Sequence, residues 1–154
     1  MRRVVVLGRG AAGKSTFATA LSKRTGLPLI ELDRVFWQPG LVPMAPDEWV
    51  AAQLSLVAEA TWILDGDLGP YDVVQPRLAA ADAVFIFDFP LWRCAWRAVR
   101  RSRERMDFWR WVIPWRRRSR PALMAAVDAD ARGAVVRVLR TPREAARVLA
   151  SITD

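Results

Sequence analysis

The residues best able to do chemistry stand together near the start of the chain. Gly8-Arg9-Gly10-Ala11-Ala12-Gly13-Lys14-Ser15 fits the pattern G-x-x-x-x-G-K-[ST] at every fixed position. The residue types explain the spacing. Glycines let the backbone turn with its N–H groups facing inward, which makes a nest for an anion. A helix beginning at Lys14 aims its positive end at the same point. The Lys14 ammonium can then reach the outer phosphates of a nucleotide, and the Ser15 hydroxyl can ligate Mg²⁺. A valine-rich run precedes the loop and a helical stretch follows it, the context this motif needs. The nucleotide-binding set is Gly8, Gly10, Ala11, Ala12, Gly13, Lys14, Ser15 and Thr16.

Three carboxylates fall at the ends of short apolar runs. Asp65 closes Trp62-Ile63-Leu64. Beside a phosphate loop such a carboxylate can orient Mg²⁺ through its waters; alternatively it shapes the Asp-Gly turn. Asp67, two residues on, can share that task or hold a second substrate. Asp33 can take the proton of an attacking hydroxyl or hold that hydroxyl in line, or it can serve as a cap or an ion-pair partner of Arg34. Trp37, close to Asp33, is a candidate wall for the same pocket. Asp88, ahead of Phe89-Pro90, reads as a cap or turn former for the helix starting at Leu91.

The positive charge is local. From Arg93 to Arg120 there are eleven arginines against Glu104 and Asp107, a surplus of nine in a chain whose formal net charge is +8. The remainder is close to neutral. Arg97 and Arg101 are four apart and share a helix face. Over the loop they could neutralise charge on a transferring phosphoryl group; a solvated face would look the same. Arg116-Arg117-Arg118 and Arg120 form a second block, suited to nucleic acid or an anionic surface if not simply solvated. Trp92, Trp96 and Val99 make an apolar helical stripe. With Trp109, Trp111, Val112, Ile113 and Trp115 they are expected mostly in the core, stacking on a base being the alternative.

Composition removes other chemistries. The chain has no histidine and one cysteine, Cys94. Ser-His-Asp and Cys-His catalysis and histidine metal sites are excluded, and so is an internal disulfide. A cytoplasmic protein is the plain expectation. No apolar run reaches the roughly 18 residues a membrane span needs.

The elements that must position these residues alternate. Arg3–Leu7, Pro28–Leu32, Trp62–Leu64, Ala83–Phe87 and Val135–Leu139 are short, mainly apolar runs bounded by turns, which suggests parallel strands buried on both faces. Helices are expected over Lys14–Arg24, Asp47–Ala60, Gln75–Ala81, Leu91–Arg105, part of Phe108–Ala129 and Pro142–Ala150, with Thr141 as an N-cap and breaks at Pro114 and Pro121. This alternation predicts an α/β fold, an open parallel sheet with helices on both faces and ligands beyond its carboxyl ends. One domain over residues 1–154 is expected, with a short lid-like segment at about 97–120.

The motifs taken together resemble a known group. The phosphate loop, Leu32-Asp33 followed by Phe36-Trp37, Pro46-Asp47-Glu48-Trp49, Trp62-Ile63-Leu64-Asp65-Gly66, and Phe87-Asp88-Phe89-Pro90-Leu91-Trp92-Arg93 look like the topology-modulation-protein group, which is similar to adenylate and shikimate kinases. The resemblance implies a P-loop NTPase fold, three layers in the order α/β/α, with five parallel strands in the order 2-3-1-4-5. It implies ATP with Mg²⁺ as phosphoryl donor, Asp33 and Asp65 as acceptor and Mg²⁺ residues, and Arg97 and Arg101 on the helix leading into the lid. It also places Arg140 and Pro142, after the last strand, where such kinases hold adenine. Relatives usually read Asp-Gly-Asn-Tyr-Ser where this chain has Asp65-Gly66-Asp67-Leu68-Gly69. The expected function is an ATP-dependent kinase of a small hydroxyl or phosphate acceptor, acting as a monomer or homodimer. A nucleic-acid-associated ATPase and a non-catalytic nucleotide-binding protein are the alternatives.

Overall fold

The five apolar runs form one sheet. A computed structural model describes residues 1–101, 109–110 and 112–152. The strands are β1 (Arg3–Gly8), β2 (Leu29–Glu31), β5 (Trp62–Asp65), β6 (Ala83–Phe87) and β7 (Val135–Leu139). They lie in the order β2-β5-β1-β6-β7, and every pairing is parallel. Two short strands, β3 (Trp37–Gln38) and β4 (Val42–Pro43), make a separate antiparallel hairpin. With the hairpin set aside, the large sheet reads second, third, first, fourth, fifth along the chain, the expected order.

Strand alternation sorts the core into two layers. On β1, Val4 and Val6 point to one face and Val5 and Leu7 to the other, and all four are fully buried. The first face receives α1 (Lys14–Thr25) and α7 (Pro142–Ser151) through Phe17, Leu21, Ala145 and Val148. The second receives α3 (Pro46–Val57), α4 (Gln75–Ala80) and α6 (Trp115–Asp130) through Trp49, Leu78, Trp115 and Leu123. Two further helices, α2 (Leu32–Phe36) and α5 (Leu91–Arg101), follow β2 and β6 on the carboxyl side of the sheet.

Several expectations are corrected. Asp33 does not end a strand; it sits in the first turn of α2, which the sequence reading missed. Pro114 stands ahead of α6, but Pro121 lies inside that helix without ending it. Trp92 and Trp96 are not core residues: they are 69% and 63% exposed, and Val99 and Ile113 are also exposed. The reason is on the other side of α5, where Cys94 and Ala98, four apart, are buried. Cys94 joins the core layer of Phe87 and Phe89, and the large stripe faces outward, with the guanidinium groups of Arg93 and Arg100 over the Trp92 and Trp96 rings. Val112 and Trp115 are buried as expected. The expected helix beyond Arg101, with Arg103 and Arg105, the Arg101 side chain, Phe108 and Trp111 lie outside the described residues.

A buried ion pair anchors the loop after β5. Arg77 and Asp72 are 0% and 3% exposed and form a two-pronged contact. Gln53 Oε1 accepts a second bond from Arg77 at 2.7 Å, while Trp49 Nε1 and the Leu68 amide donate to Asp72. Removing one partner of such a pair costs about 3–5 kcal/mol, because it strands the other charge.

Candidate active site

The Gly8–Ser15 segment forms a tight loop at the carboxyl end of the central strand. Gly8 has φ 122°, Ala11 φ 58° and Gly13 φ 96°, all in or near the left-handed region. The Arg9 amide donates to Phe87 O at 3.1 Å, fixing the loop on β6. Gly13 precedes α1 without a side-chain cap, so the first-turn amides are left for an anion. Ser15 and Thr16 are exposed on that turn. Lys14 folds over the loop, its Nζ donating to Gly8 O at 2.8 Å and Arg9 O at 3.0 Å.

Arg97 reaches the same loop from α5. Its Nη1 donates to Ala12 O at 3.5 Å and lies 2.8 Å from where a Cβ on Gly13 would sit. Arg9 was not singled out by its type or position, yet its side chain is buried. Its Nη1 donates to Phe89 O at 3.0 Å, and its guanidinium lies 5.4 Å from the centre of the Trp115 ring. Burial lowers its pKa. Asp88 does not cap α5. Its carboxylate is buried and clamps Arg116 Nε at 2.9 Å and Arg120 Nε at 3.0 Å. Two arginines of the second basic block are therefore paired with Asp88, although Arg116 is exposed, as are Arg117 and Arg118.

Three carboxyl groups share the field of Lys14, which pulls each of their pKa values down. Asp65, at the tip of β5, stands beside Val6 of β1 and Glu31 of β2. It is 3% exposed, and its Oδ1 has no hydrogen-bond partner among the described residues. Asp67 accepts the Gly8 amide at 3.3 Å and the Gly69 amide at 3.0 Å, tying the β5 loop to the phosphate loop. Asp33 opens to solvent on one side, and Trp37 Nε1 donates to its Oδ1 at 3.4 Å. The Trp37 ring meets Tyr71 edge-on at 5.7 Å. Loss of water raises the pKa of all three carboxyls despite Lys14.

Those raised values have a consequence for stability. A carboxyl whose folded pKa exceeds its unfolded one binds its proton more tightly in the folded chain. Its contribution is full below the ordinary aspartate value of 3.8 and is lost as pH rises through the folded value. In the ligand-free chain near neutral pH, Asp65 is therefore a cost. Asp65→Asn should raise the thermal unfolding midpoint near neutral pH, and the gain should shrink at acid pH. A variant less stable than the parent near neutral pH would contradict this.

Arg140 and Pro142 are exposed just beyond β7, on the same rim. Thr141 caps α7, its Oγ1 accepting the Glu144 amide at 3.2 Å, and Glu144 returns a bond to the Arg140 amide at 2.7 Å. A cavity of about 320 Å³ opens at the opposite end of the sheet, lined in part by Asp82, Phe85, Val135 and Ile152. It shares no residue with the phosphate loop and carries none of the chemistry above.

Solved structures of similar fold include kinases. A shikimate kinase from Acinetobacter baumannii, in complex with shikimate, superposes with a TM-score of 0.64 at 15% identity, covering 97% of this chain and 89% of that one. A gluconokinase from Sinorhizobium meliloti gives 0.56 at 20% identity, over 97% and 91%. A sugar kinase from a Janibacter species gives 0.54 at 21% identity, over 97% and 93%. The chain has the P-loop kinase fold. At these identities the likeness is one of fold. No protein-family model matches the sequence, and no curated protein matches it. Among the described residues, no helix is long and apolar enough to cross a membrane.

Proposed function

We propose that this chain is an ATP-dependent kinase that transfers the γ-phosphoryl group to a hydroxyl of a small-molecule acceptor. The observation that carries the reading is a complete phosphate loop, with Arg97 laid over Gly13 and Asp33, in the first turn of α2, within the field of Lys14. The fold neighbours named for a sugar, gluconate and shikimate support it. So does the resemblance to the topology-modulation-protein group.

The residues present suit Mg²⁺-nucleotide. Asp65 has a buried oxygen without a partner, close to the Ser15 hydroxyl. Among the described residues, no three acidic or thiol side chains gather into a protein-made metal cage. Mg²⁺ is commonly held this way, by one hydroxyl, one or two carboxylates through water, and substrate phosphates. When bound, the ion neutralises charge on the β- and γ-oxygens.

The chain's own groups do the rest. The loop amides from Gly10 to Thr16 hold the phosphates. Lys14 leaves the carbonyls of Gly8 and Arg9 for the phosphate oxygens, and Arg97, with Arg101 one turn on, balances charge on the transferring group. Asp33 holds the acceptor hydroxyl in line and takes its proton as the oxygen bonds to the γ-phosphorus and ADP leaves. A carboxyl with a raised pKa is the better base for that step. Arg140 and Pro142 form the edge against which the adenine lies.

Asp33→Asn separates binding from transfer. It should leave ATP affinity within about twofold and lower phosphoryl transfer by about 10²–10⁴-fold. Calorimetry with a non-hydrolysable ATP analogue and a steady-state transfer assay measure the two. Unchanged transfer would remove Asp33 from the mechanism. The rival use of the basic segment as a nucleic-acid surface is the weaker reading, since Arg97, Arg116 and Arg120 already bond to groups of the chain, Arg116 while its side chain stays 48% exposed.

A further inference from the structure

Resting on the kinase reading above, we infer that Arg9 is a positioning residue: it anchors α5 to the phosphate loop and so sets where Arg97 stands over the bound phosphates. Arg9 is 1% exposed, and burying a guanidinium costs free energy unless its surroundings offset the lost water. Those surroundings belong to other elements. Its Nη1 donates to Phe89 O at 3.0 Å, in the connection from β6 to α5. The Cys94 thiol, in the first turn of α5, lies against the same guanidinium and donates weakly to the same carbonyl at 3.9 Å. The Trp115 ring, at the start of α6, supplies an aromatic face at 5.4 Å.

A purely structural guanidinium at this place would be expected to pair with the nearby Asp88 carboxylate. Asp88 instead gives its two oxygens to Arg116 and Arg120. Arg9 turns to the entry of α5, a helix with little else to fix it. The buried side chains of α5 among the described residues are Cys94 and Ala98, both small. Apolar packing therefore contributes less here than in α1, which buries Phe17 and Leu21.

Two arginines join the loop to α5, in opposite directions. Arg9 runs from the loop to the entry of α5, and Arg97 runs from α5 back to Ala12 O. They are not equivalent. The Arg97 contact is 3.5 Å, at the outer limit of a hydrogen bond, and in the mechanism above it gives way to phosphate. The Arg9 contact is shorter and buried, so it holds α5 while Arg97 changes partner. Arg97 stands three residues past Cys94, within one helical turn, so any shift of the first turn of α5 carries Arg97 with it.

A double-mutant cycle on the full chain with Mg²⁺ tests this. Calorimetry reads the ratio of affinities for a non-hydrolysable ATP analogue and for ADP, where ADP controls for the loop's grip on the inner phosphates. Arg97→Met should lower the ratio about tenfold, the loss of one charged hydrogen bond. Arg9→Met should lower it about fivefold, since Arg97 is then displaced rather than removed. The double variant should stay at about tenfold, where independent effects would give about fiftyfold. Arg9→Lys, which keeps a charge and a donor but not the planar fork, should lose about threefold, and that loss too should vanish beside Arg97→Met. This second cycle decides the matter should Arg9→Met not fold. A role limited to stability would lower the unfolding midpoint and leave the ratio at the parent's value. That result, a parental ratio in Arg97→Met, or additive losses in the double variant would overturn the inference. Failure of the parent chain to bind the ATP analogue is a separate result, which removes the kinase reading and this inference with it.

Discussion

Lys14→Ala should lower ATP-dependent phosphoryl transfer by about 10²–10³-fold, the loss typical of removing one preorganised donor from a site of developing negative charge. In this chain the effect should lie at the upper end. Asp33, Asp65 and Asp67 all feel Lys14, and in each case it opposes the rise caused by burial. Without it, a triphosphate would approach an acidic wall, and nucleotide affinity should fall together with turnover. The fold should survive. Lys14 is only half-buried, and its bonds go to two carbonyls that water can reach. The loss in stability should stay near 1 kcal/mol. A folded variant with unchanged nucleotide binding and transfer would refute the assignment of the loop.

The parts of this architecture that were legible in the sequence are those governed by local rules. The phosphate loop was readable because its function demands particular residues at fixed spacing, and the three central strands because two-sided burial leaves continuous apolar runs; the edge strands β2 and β7 are part-exposed and carry Glu31 and Arg137. Helix ends at Gly26, Pro46 and Thr141 followed from capping chemistry. The failures came from partners distant along the chain. Arg77 lies five residues after Asp72 and twenty-four after Gln53, a separation with no periodic signature. Arg9 occupies a variable position of the motif, and its burial depends on Phe89 and Trp115. The stripe at Trp92, Trp96 and Val99 was read as core because size and spacing favour it. What decided the orientation of α5 was the opposite pair, Cys94 and Ala98, together with the reach of Arg97 to the loop. Small buried residues leave a fainter signal than large ones that fill space.

The glycines of the loop region provide a graded test of the geometry, because an added methyl meets a different obstacle at each. At Gly8 a Cβ would lie 2.3 Å from Phe87 O and 2.7 Å from Phe87 N, both backbone atoms of the neighbouring strand, at a φ of +122°. Neither atom can yield without breaking the β1–β6 pairing. Gly8→Ala should therefore cost at least about 3 kcal/mol, backbone strain and overpacking together, and the loop should lose its hold on nucleotide. At Gly13 the obstacle is the tip of Arg97, 2.8 Å away, and a guanidinium on a flexible stem can move aside. The φ of +96° still adds strain, so Gly13→Ala should cost about 1–2 kcal/mol. Its larger effect should be on transfer, because it displaces Arg97 from the loop. At Gly26, which ends α1, nothing lies within 4 Å and φ is +70°. There Gly26→Ala should cost about 1 kcal/mol and leave transfer unchanged. Denaturant unfolding of the three variants beside their transfer rates reads out both quantities. If Gly8→Ala proved as stable as Gly26→Ala, the close approach of β1 to β6 at Phe87 would be wrong, and with it the placement of the loop. If Gly13→Ala kept full activity, Arg97 would have no part in balancing charge on the transferring group.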